Sequence, residues 1–292
     1  TWLLNTRSGA RFAVDVAVRV LDGKLTTGAV SGSIAHGLHV TNARWSDAAA
    51  GVDVRARDLS VRLAPLDLLR KRLHLESAAL ADVSVALTTV QRDEPNRPGA
   101  LEPPLDIVVD AFALERGELR RDGASSLVVD RVALAGRWTD SGIELDYARV
   151  LAPQGKVSLE ARIGTQAPWL EHATGTFEWL AGDRRWKGSI ASARESRGVA
   201  LRGGLDSPFP LELAGQVSDE RGRPWRLTVE LPRFDPREEL LPDSGLEALT
   251  ARLEAHGVEN TANVSGSIDL DDERLVVREL VMKLDPGAIS VN

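Results

Sequence analysis

The 292-residue sequence has no cysteine and few aromatic side chains. The lack of Cys excludes disulfides, thiolate metal sites and Cys nucleophiles. Aromatic residues make up 4% of the chain, with a single Tyr and a single Met, so the large side chains that normally fill a β-sandwich core are scarce. No run of 18 apolar residues occurs either, so no membrane-spanning helix is predicted.

Charge of one sign is not concentrated anywhere in the chain. The 43 acidic and 36 basic residues give a formal net charge of −7 and are spread over the whole length. Nucleic acid is therefore not an expected partner, because a phosphate backbone selects basic patches. The hydrophobic fraction of 43% predicts a folded protein rather than a disordered one.

Alternation of apolar and polar residues with a period of two dominates the chain from Leu25 onward. Val52 and Val54 alternate with charged residues, and after Asp58 the pattern resumes one position out of phase at Leu59. The alternation predicts β-strands, and the slip predicts a β-bulge. Turn residues recur at intervals of roughly 8 to 15 residues, without the helices that βαβ units need. This pattern predicts an all-β meander of about sixteen strands, with a few short helices.

Four segments interrupt the alternation. From Ser8, a plausible helix N-cap, to Gly23, charges at positions 11, 15, 19 and 22 form one helical stripe, although the valines between them alternate as in a strand; we favour the helix. A short helix is predicted near 65–72, where proline stands at a helix-start position. The proline-rich segment 91–104 predicts a loop, and a helical or loop break is predicted near 232–250.

The chain opens with TWLL, from Thr1 to Leu4, without a Met. This opening is typical of the last turn of a membrane anchor with Trp2 at the interface, and an arbitrary start with a core Trp is the alternative. We therefore predict that residues 1–22 are the end of an anchor plus a short amphipathic helix, and that residues 23–292 form the β-structure.

The shortage of large side chains raises the question of what covers the apolar side of so many strands. About sixteen strands at ~4.8 Å each would extend roughly 75 Å, and strands of six to eight residues are ~20 to 27 Å long, enough to fold across an acyl chain. We therefore predict an elongated, strongly curved and twisted antiparallel sheet whose apolar side forms a groove for a ligand.

Two blocks of the sequence resemble one protein family. The first is VDVRARDLSVRLAPLDLLRKRLHLESAALADVSVAL, from Val52 to Leu87, preceded by NTRSGARFAVDVAV and SGSIAHGLHVTNARW. The second is LPRFDPREELLPDSGLEALTARLEAHG, from Leu231, followed by VSGSIDL. Their residues and order are similar to the N-terminal region of the TamB family, in the AsmA-like superfamily of bridge-like lipid transfer proteins. The resemblance extends over nearly the whole chain.

The resemblance implies a β-taco groove that belongs to a longer periplasmic protein of a Gram-negative bacterium. It implies carriage of phospholipid acyl chains between the inner and outer membranes in support of outer-membrane biogenesis. The partners implied are phospholipids, the inner membrane through a removed N-terminal anchor, and an outer-membrane barrel of the TamA type through a C-terminal part absent here. Phospholipid would be the transported ligand, and neither a cofactor nor enzymatic activity is expected.

The residues expected to line the groove are the apolar members of the alternating strands. They are Val52, Val54, Leu59, Val61, Leu63, Leu73, Leu75, Val83, Val85, Leu87, Ile107, Val109, Val132, Leu134, Ile143, Leu145, Tyr147, Val157, Leu159, Ile163, Phe177, Trp179, Ile190, Val199, Leu201, Leu211, Leu213, Val217, Leu227 and Val229. Trp2 and the basic cluster Arg70, Lys71 and Arg72 are candidates for membrane-proximal contact, with a solvated helix end as the alternative for the cluster.

Two other functions are alternatives to lipid transfer. A chaperone or scaffold could add a client strand to an exposed sheet edge during outer-membrane protein or autotransporter assembly with a barrel partner. A β-solenoid enzyme acting on polysaccharide is disfavoured, because no cluster of acidic and aromatic sugar-binding residues is visible. His36 and His39 have a spacing that puts their rings on opposite faces of a strand, so no metal site is predicted there.

Overall fold

The computed structural model describes residues 6–20, 24–34, 36–89, 103, 105–165, 170–220, 222–239, 245–258, 261–285 and 288–291. Its helices are α1 (Arg7–Val20), α2 (Pro236–Glu239) and one 3-10 helix (Pro65–Arg70). Its strands are β1 (Leu25–Thr26), β2 (Val30–Ser33), β3 (Gly37–Asp47), β4 (Val52–Leu63), β5 (Arg72–Leu87), β6 (Asp106–Arg121), β7 (Ala124–Thr139), β8 (Gly142–Ala152), β9 (Gly155–Gly164), β10 (Leu170–Ala181), β11 (Arg184–Glu195), β12 (Gly198–Ser207), β13 (Leu211–Ser218), β14 (Pro224–Phe234), β15 (Leu249–Val258), β16 (Thr261–Leu270), β17 (Glu273–Asp285) and β18 (Ala288–Val291).

The chain divides into two compact units, residues 1–158 and 159–292. In the first unit β2 to β8 pair in chain order, and in the second β10 to β18 do the same. Tight turns set the register: Asp122 and Gly123 both have positive φ, 49° and 85°, as the two-residue connection from β6 to β7 requires. Strand accounts for 75% of the structure and helix for 7%. The predicted fold class, all-β with a few short helices and an antiparallel sheet, is confirmed.

The helical interpretation of the N-terminal segment is confirmed by α1. The helix begins one residue after Thr6, whose hydroxyl accepts a hydrogen bond from the Gly9 amide at 3.1 Å, so Thr6 rather than Ser8 is the N-cap. Ala10 and Val14 lie on one side of the helix and are buried. They pack against the sheet residues Val30, Val40 and Ala43.

One neighbouring pair of strands departs from the expected meander. β5 and β6 are parallel, with Arg72 opposite Asp106 and Leu87 opposite Arg121. A parallel pair needs a connection of roughly a dozen residues or more, because the chain must return to the starting end of the sheet. Residues 88–105 supply that connection; the loop predicted at 91–104 lies outside the described residues except for position 103.

The alternation of apolar and polar residues shifts by one position after Asp58, but no β-bulge lies there. The predicted bulge is therefore wrong. The pairing of β4 with both neighbours keeps one register through this point, and the first irregularity lies between Arg62 and Leu63. Three residues nearby instead have a left-handed backbone, Asn42, Asp82 and Arg116, with φ of 50°, 49° and 59°.

These residues belong to one line across the sheet, which we call the phase row. By register it consists of Asn42, Arg57, Asp82, Arg116 and Asp130 on β3 to β7. In β3, β5 and β6 the left-handed residue turns the strand over, so apolar residues on both sides of the row lie on the same face although an odd number of positions separates them. Arg57 on β4 and Asp130 on β7 are not left-handed, and these two strands follow their neighbours through the pairing on either side of the row. Val40 and Ala43, on either side of Asn42, both belong to the cluster under α1.

The remaining interruptions are short. The helix predicted near 65–72 is a 3-10 helix that begins at Pro65 as expected. In the break predicted near 232–250, β14 continues to Phe234, α2 follows at once, and residues 240–244 lie outside the described part of the chain.

Candidate functional site

One face of the sheet in the first unit is apolar in every strand from β3 to β8. Residues directly opposite each other on neighbouring strands project on the same side, so the register identifies the members of each face. Three cross-strand rows are Trp45–Val54–Val85–Leu119–Leu127, Val40–Leu59–Leu80–Leu114–Val132–Val150 and Val61–Ala78–Phe112–Leu134–Ala148. We call this surface the first apolar face.

The second unit has an apolar face of the same kind. Its rows are Val199–Val217–Trp225–Gly257–Ala262, Leu201–Gly215–Leu227–Ala255–Val264–Leu280 and Gly203–Leu213–Val229–Leu253–Gly266–Val277. In β13 exposed residues alternate with these positions, and they are Glu212, Ala214 and Gln216. We call this surface the second apolar face.

Charged side chains occupy the opposite side of both units. The Arg44 guanidinium on β3 donates to the Asp53 carboxylate on β4 with an Nε–Oδ2 distance of 2.8 Å, and it holds the pKa of that carboxyl below its usual value. In the second unit, Arg252 and Glu230 pair across β15 and β14 at 3.0 Å. Each sheet therefore has one charged side, suited to water, and one apolar side.

The apolar faces have no thick protein layer over them in the part of the chain that the structure describes. Every buried hydrophobic residue among the described ones is Ala or Val, and the Leu, Ile, Phe and Trp side chains all keep part of their surface exposed. Ile190, with Gly175 and Gly203 opposite it on the two neighbouring strands, is 53% exposed. Helix α1 covers the end of the first face near β2 and β3.

Local cover also exists at one end of the second face. The Phe209 ring, in the connection from β12 to β13, stacks on Phe234 with centroids 5.7 Å apart and meets Trp186 edge to face at 6.0 Å. These rings pack against one another at the strand ends. The middle rows of the face remain partly exposed.

Glycines stand opposite two of the aromatic side chains on the second face, Trp225 and Phe177. A methyl group added to Gly257 would lie 2.8 Å from the Trp225 indole, and one added to Gly188 would lie 3.0 Å from the Phe177 ring. The aromatic rings therefore lie across the glycines of the neighbouring strands, which a side chain at those positions would prevent. The surface of the face is therefore flatter than it would be with larger side chains opposite these rings.

The structure places nearly all of the predicted groove residues on the two apolar faces. Those on β4 to β8 and on β10 to β14 lie there by register, and Val157, Leu159 and Ile163 on β9 are partly buried between exposed charged residues. Tyr147 is the exception. A register shift next to its partner Ala135 moves it to the charged side, where the Arg149 guanidinium lies 5.3 Å from the ring centroid.

Several members of the faces were not predicted as groove residues. They include Leu80, Phe112, Leu114, Leu119, Leu127, Trp225 and Leu253. Most of those in the first unit flank the phase row, where the alternation changes step. The alternation of apolar and polar residues also shifts by one position in β5, β6 and β7. Together with the shift after Asp58, this pattern could have identified these residues.

The predicted membrane-proximal residues fall into two groups. Trp2 lies outside the described residues, and Arg70 and Lys71 are exposed after the 3-10 helix. Arg72 is partly buried and its guanidinium lies 3.7 Å from the Asp106 carboxylate. The structure thus leaves two of the three basic side chains facing solvent.

His74 joins the 3-10 helix to the sheet. Its Nδ1 lies 2.8 Å from the Asp67 carboxylate and its Nε2 lies 2.9 Å from the Asp110 carboxylate. The hydrogen bond to Asp110 and then that to Asp67 raise the pKa of the imidazole above its usual value. His36 and His39 contact different hydroxyls, those of Ser33 and Ser60.

The described residues contain neither a membrane-spanning helix nor a metal-binding cluster. No helix there is long and apolar enough to cross a bilayer. No group of three or more His, Asp or Glu side chains there is placed to hold a metal ion.

Comparison with known proteins assigns the N-terminal part of the chain. The family model described as TamB, N-terminal domain, matches residues 1–125, which include α1, the 3-10 helix and the strands β1 to β6. No curated protein and no solved structure matches the chain. This family indicates a periplasmic, envelope-associated protein. By this match, residues 1–125 are similar to the N-terminal domain of TamB.

Proposed function

We propose that the two apolar faces hold phospholipid acyl chains, and that the chain is a segment of a bridge that carries phospholipid across the periplasm between the inner and outer membranes. The observation that carries this proposal is the burial pattern: only Ala and Val are buried among the described hydrophobic residues, and the larger side chains of both faces stay partly exposed. The match of residues 1–125 to the TamB N-terminal domain supports the proposal.

The physical reason is the cost of apolar surface in water. Each CH₂ group removed from water is worth about 0.8 kcal/mol, so an acyl chain needs apolar contact along its whole length when it leaves a bilayer. A face of partly exposed Leu, Val and Ile supplies that contact, and the acyl chains in turn cover side chains that no protein layer covers. The polar head groups would remain at the edge of the face, in water.

The uniformity of the faces favours movement along them over tight binding at one point. The six cross-strand rows described above consist of Val, Leu, Ala, Gly, Phe and Trp, without a charged residue in any of them. The glycines opposite Trp225 and Phe177 reduce steps in the surface. A flat lining with few polar groups gives an acyl chain similar binding free energies at successive positions, so no single position holds it tightly.

Photo-crosslinking at adjacent residues tests the proposal. A photoreactive amino acid at Leu114 or Leu213 would lie on an apolar face, whereas the same amino acid at Glu115 or Ala214 would lie on the opposite side of the same strand. After irradiation in cells, protein labelled at Leu114 or Leu213 is expected to carry phospholipid detectable by mass spectrometry, and protein labelled at the two control positions is not.

Two results would contradict the lipid proposal. Purified protein whose solvent extract contains no phospholipid would do so, and so would equal crosslinking from both sides of the strands. Crosslinks to unfolded outer-membrane proteins at sheet edges, without lipid at Leu114 or Leu213, would support the chaperone alternative instead.

A further inference from the structure

The 3-10 helix at Pro65–Arg70 presents leucine to solvent. Leu69 is 84% exposed and Leu66 is 70% exposed, the two highest values for large hydrophobic residues among those described, and Leu68 is 49% exposed. Residues three apart are eclipsed in a 3-10 helix, so Leu66 and Leu69 project from the same side. The turn therefore does not cover the apolar face, as a cap over the groove would; it directs its apolar side chains outward.

The charges beside these leucines are positive. Arg70 and Lys71 follow directly and are exposed, and neither makes an ion pair with another described residue. The single acidic residue of the turn, Asp67, is engaged by the His74 imidazole at 2.8 Å. An apolar tip beside two exposed cations, with its single acidic side chain turned toward His74, matches the surface of an anionic bilayer.

The turn is held firmly, so the exposure of its leucines is not the result of a loose loop. The Ala64 amide donates to the His74 carbonyl at 3.0 Å, and the Asp106 amide donates to the Lys71 carbonyl at 3.1 Å. The Lys71 amide closes the helix on the Leu68 carbonyl at 3.1 Å. These bonds fix both ends of the turn to β5 and β6.

We propose that the turn from Pro65 to Lys71 is a membrane-docking site, in which Leu66 and Leu69 enter the surface of a bilayer that contains anionic phospholipid. Arg70 and Lys71 then lie at the level of the lipid phosphates. This docking does not depend on the transport of lipid along the apolar faces.

Vesicle flotation with the 292-residue chain tests the docking. Vesicles of phosphatidylcholine with 25% phosphatidylglycerol are expected to bind the chain, and binding is expected to fall in high salt and on pure phosphatidylcholine, where the electrostatic attraction is weak. The double substitution Leu66→Ser/Leu69→Ser removes the inserted side chains and is expected to lower the partition coefficient at least ~10-fold.

A second variant tests the charge without a risk to folding. Lys71 has a left-handed backbone, φ 58°, which glycine adopts with less strain, so Lys71→Gly keeps the turn while removing one cation. It is expected to lower binding to anionic vesicles about fivefold and to leave binding to neutral vesicles unchanged. The matched control is Leu151→Ser, which removes a leucine that is 49% exposed on the charged side of β8.

The outcomes separate this proposal from the lipid-transfer proposal. If the double-serine variant and Lys71→Gly both float as well as the wild type, the turn does not dock to membranes. If flotation is lost instead in Ile190→Asp, which alters the second apolar face, membrane contact belongs to that face and the docking proposal is also overturned. Loss of flotation in the turn variants with unchanged lipid crosslinking from Leu114 would support docking independently of transport.

Discussion

Ile190 offers a direct test of what the second apolar face contacts. Its neighbours in the same cross-strand row are Gly175 and Gly203, so its side chain has no large partner beside it. The substitution Ile190→Asp places a carboxylate in the middle of the proposed acyl path. A photoreactive amino acid at Leu213, further along the same row, would report whether acyl chains still reach the face.

The two effects of this substitution differ in size. Ile190 is 53% exposed, so it loses about half of the 1.5–3 kcal/mol that full burial of such a side chain is worth, and the free energy of unfolding is expected to fall by about 1 kcal/mol. An acyl chain over the new carboxylate would have to displace its water, at a cost of several kcal/mol, so lipid capture at Leu213 is expected to fall at least ~100-fold.

Leu180→Asp is the matched control. Leu180 is 44% exposed and lies on β10, the strand next to that of Ile190, but it is on the charged side of the sheet, opposite Arg185. Its substitution should cost a similar free energy of unfolding and leave lipid capture at Leu213 unchanged. Urea unfolding and mass spectrometry of the crosslinked protein measure the two effects. If Ile190→Asp and Leu180→Asp capture lipid equally, acyl chains do not occupy this face.

Three further predictions concern stability. Val40→Ala, under α1, is expected to lower the free energy of unfolding by about 2 kcal/mol in urea titrations, because Val40 is only 2% exposed. Gly257→Val should cost at least about 1–3 kcal/mol, since its Cβ would lie 1.9 Å from the Thr261 carbonyl oxygen and 2.8 Å from the Trp225 ring; a Trp225→Ala/Gly257→Val double variant should recover only the part of this loss that is due to the ring. The raised pKa of His74 means that its two ion pairs contribute fully below pH 6.5, its ordinary value, and are lost as pH rises through the raised value; urea stability should fall with pH over this window, and His74→Gln should lack that dependence.

The strands were predictable because their signal is local. Two-residue alternation and turn residues depend on neighbours in sequence, and the charged stripe at positions 11, 15 and 19 identified α1 in the same way. The 3-10 helix was signalled by Pro65. The partners of each strand follow from chain order wherever the connection is short.

Longer-range features were not available from the sequence. The parallel pairing of β5 and β6 depends on the path of residues 88–105, and nothing in a proline-rich loop specifies the end of the sheet to which the chain returns. Tyr147 looks like an inward residue by its spacing from Leu145, but the register shift beside Ala135 is set by the neighbouring strand. The assignment of faces therefore needed the structure wherever a strand changes step.

The phase row makes the length of one strand depend on the lengths of its neighbours. Asp82 lies between Arg57 and Arg116 and pairs with both at 2.5 Å, so the left-handed position is tied to the strands on either side. Deleting a single residue from β5 on one side of the row would turn the rest of that strand inside out, with leucines in water and serines among apolar side chains. An insertion or deletion in one of these five strands is therefore tolerated only together with matching changes in the other four. A chimaera that exchanges single strands between such proteins must keep the residues of the phase row opposite one another.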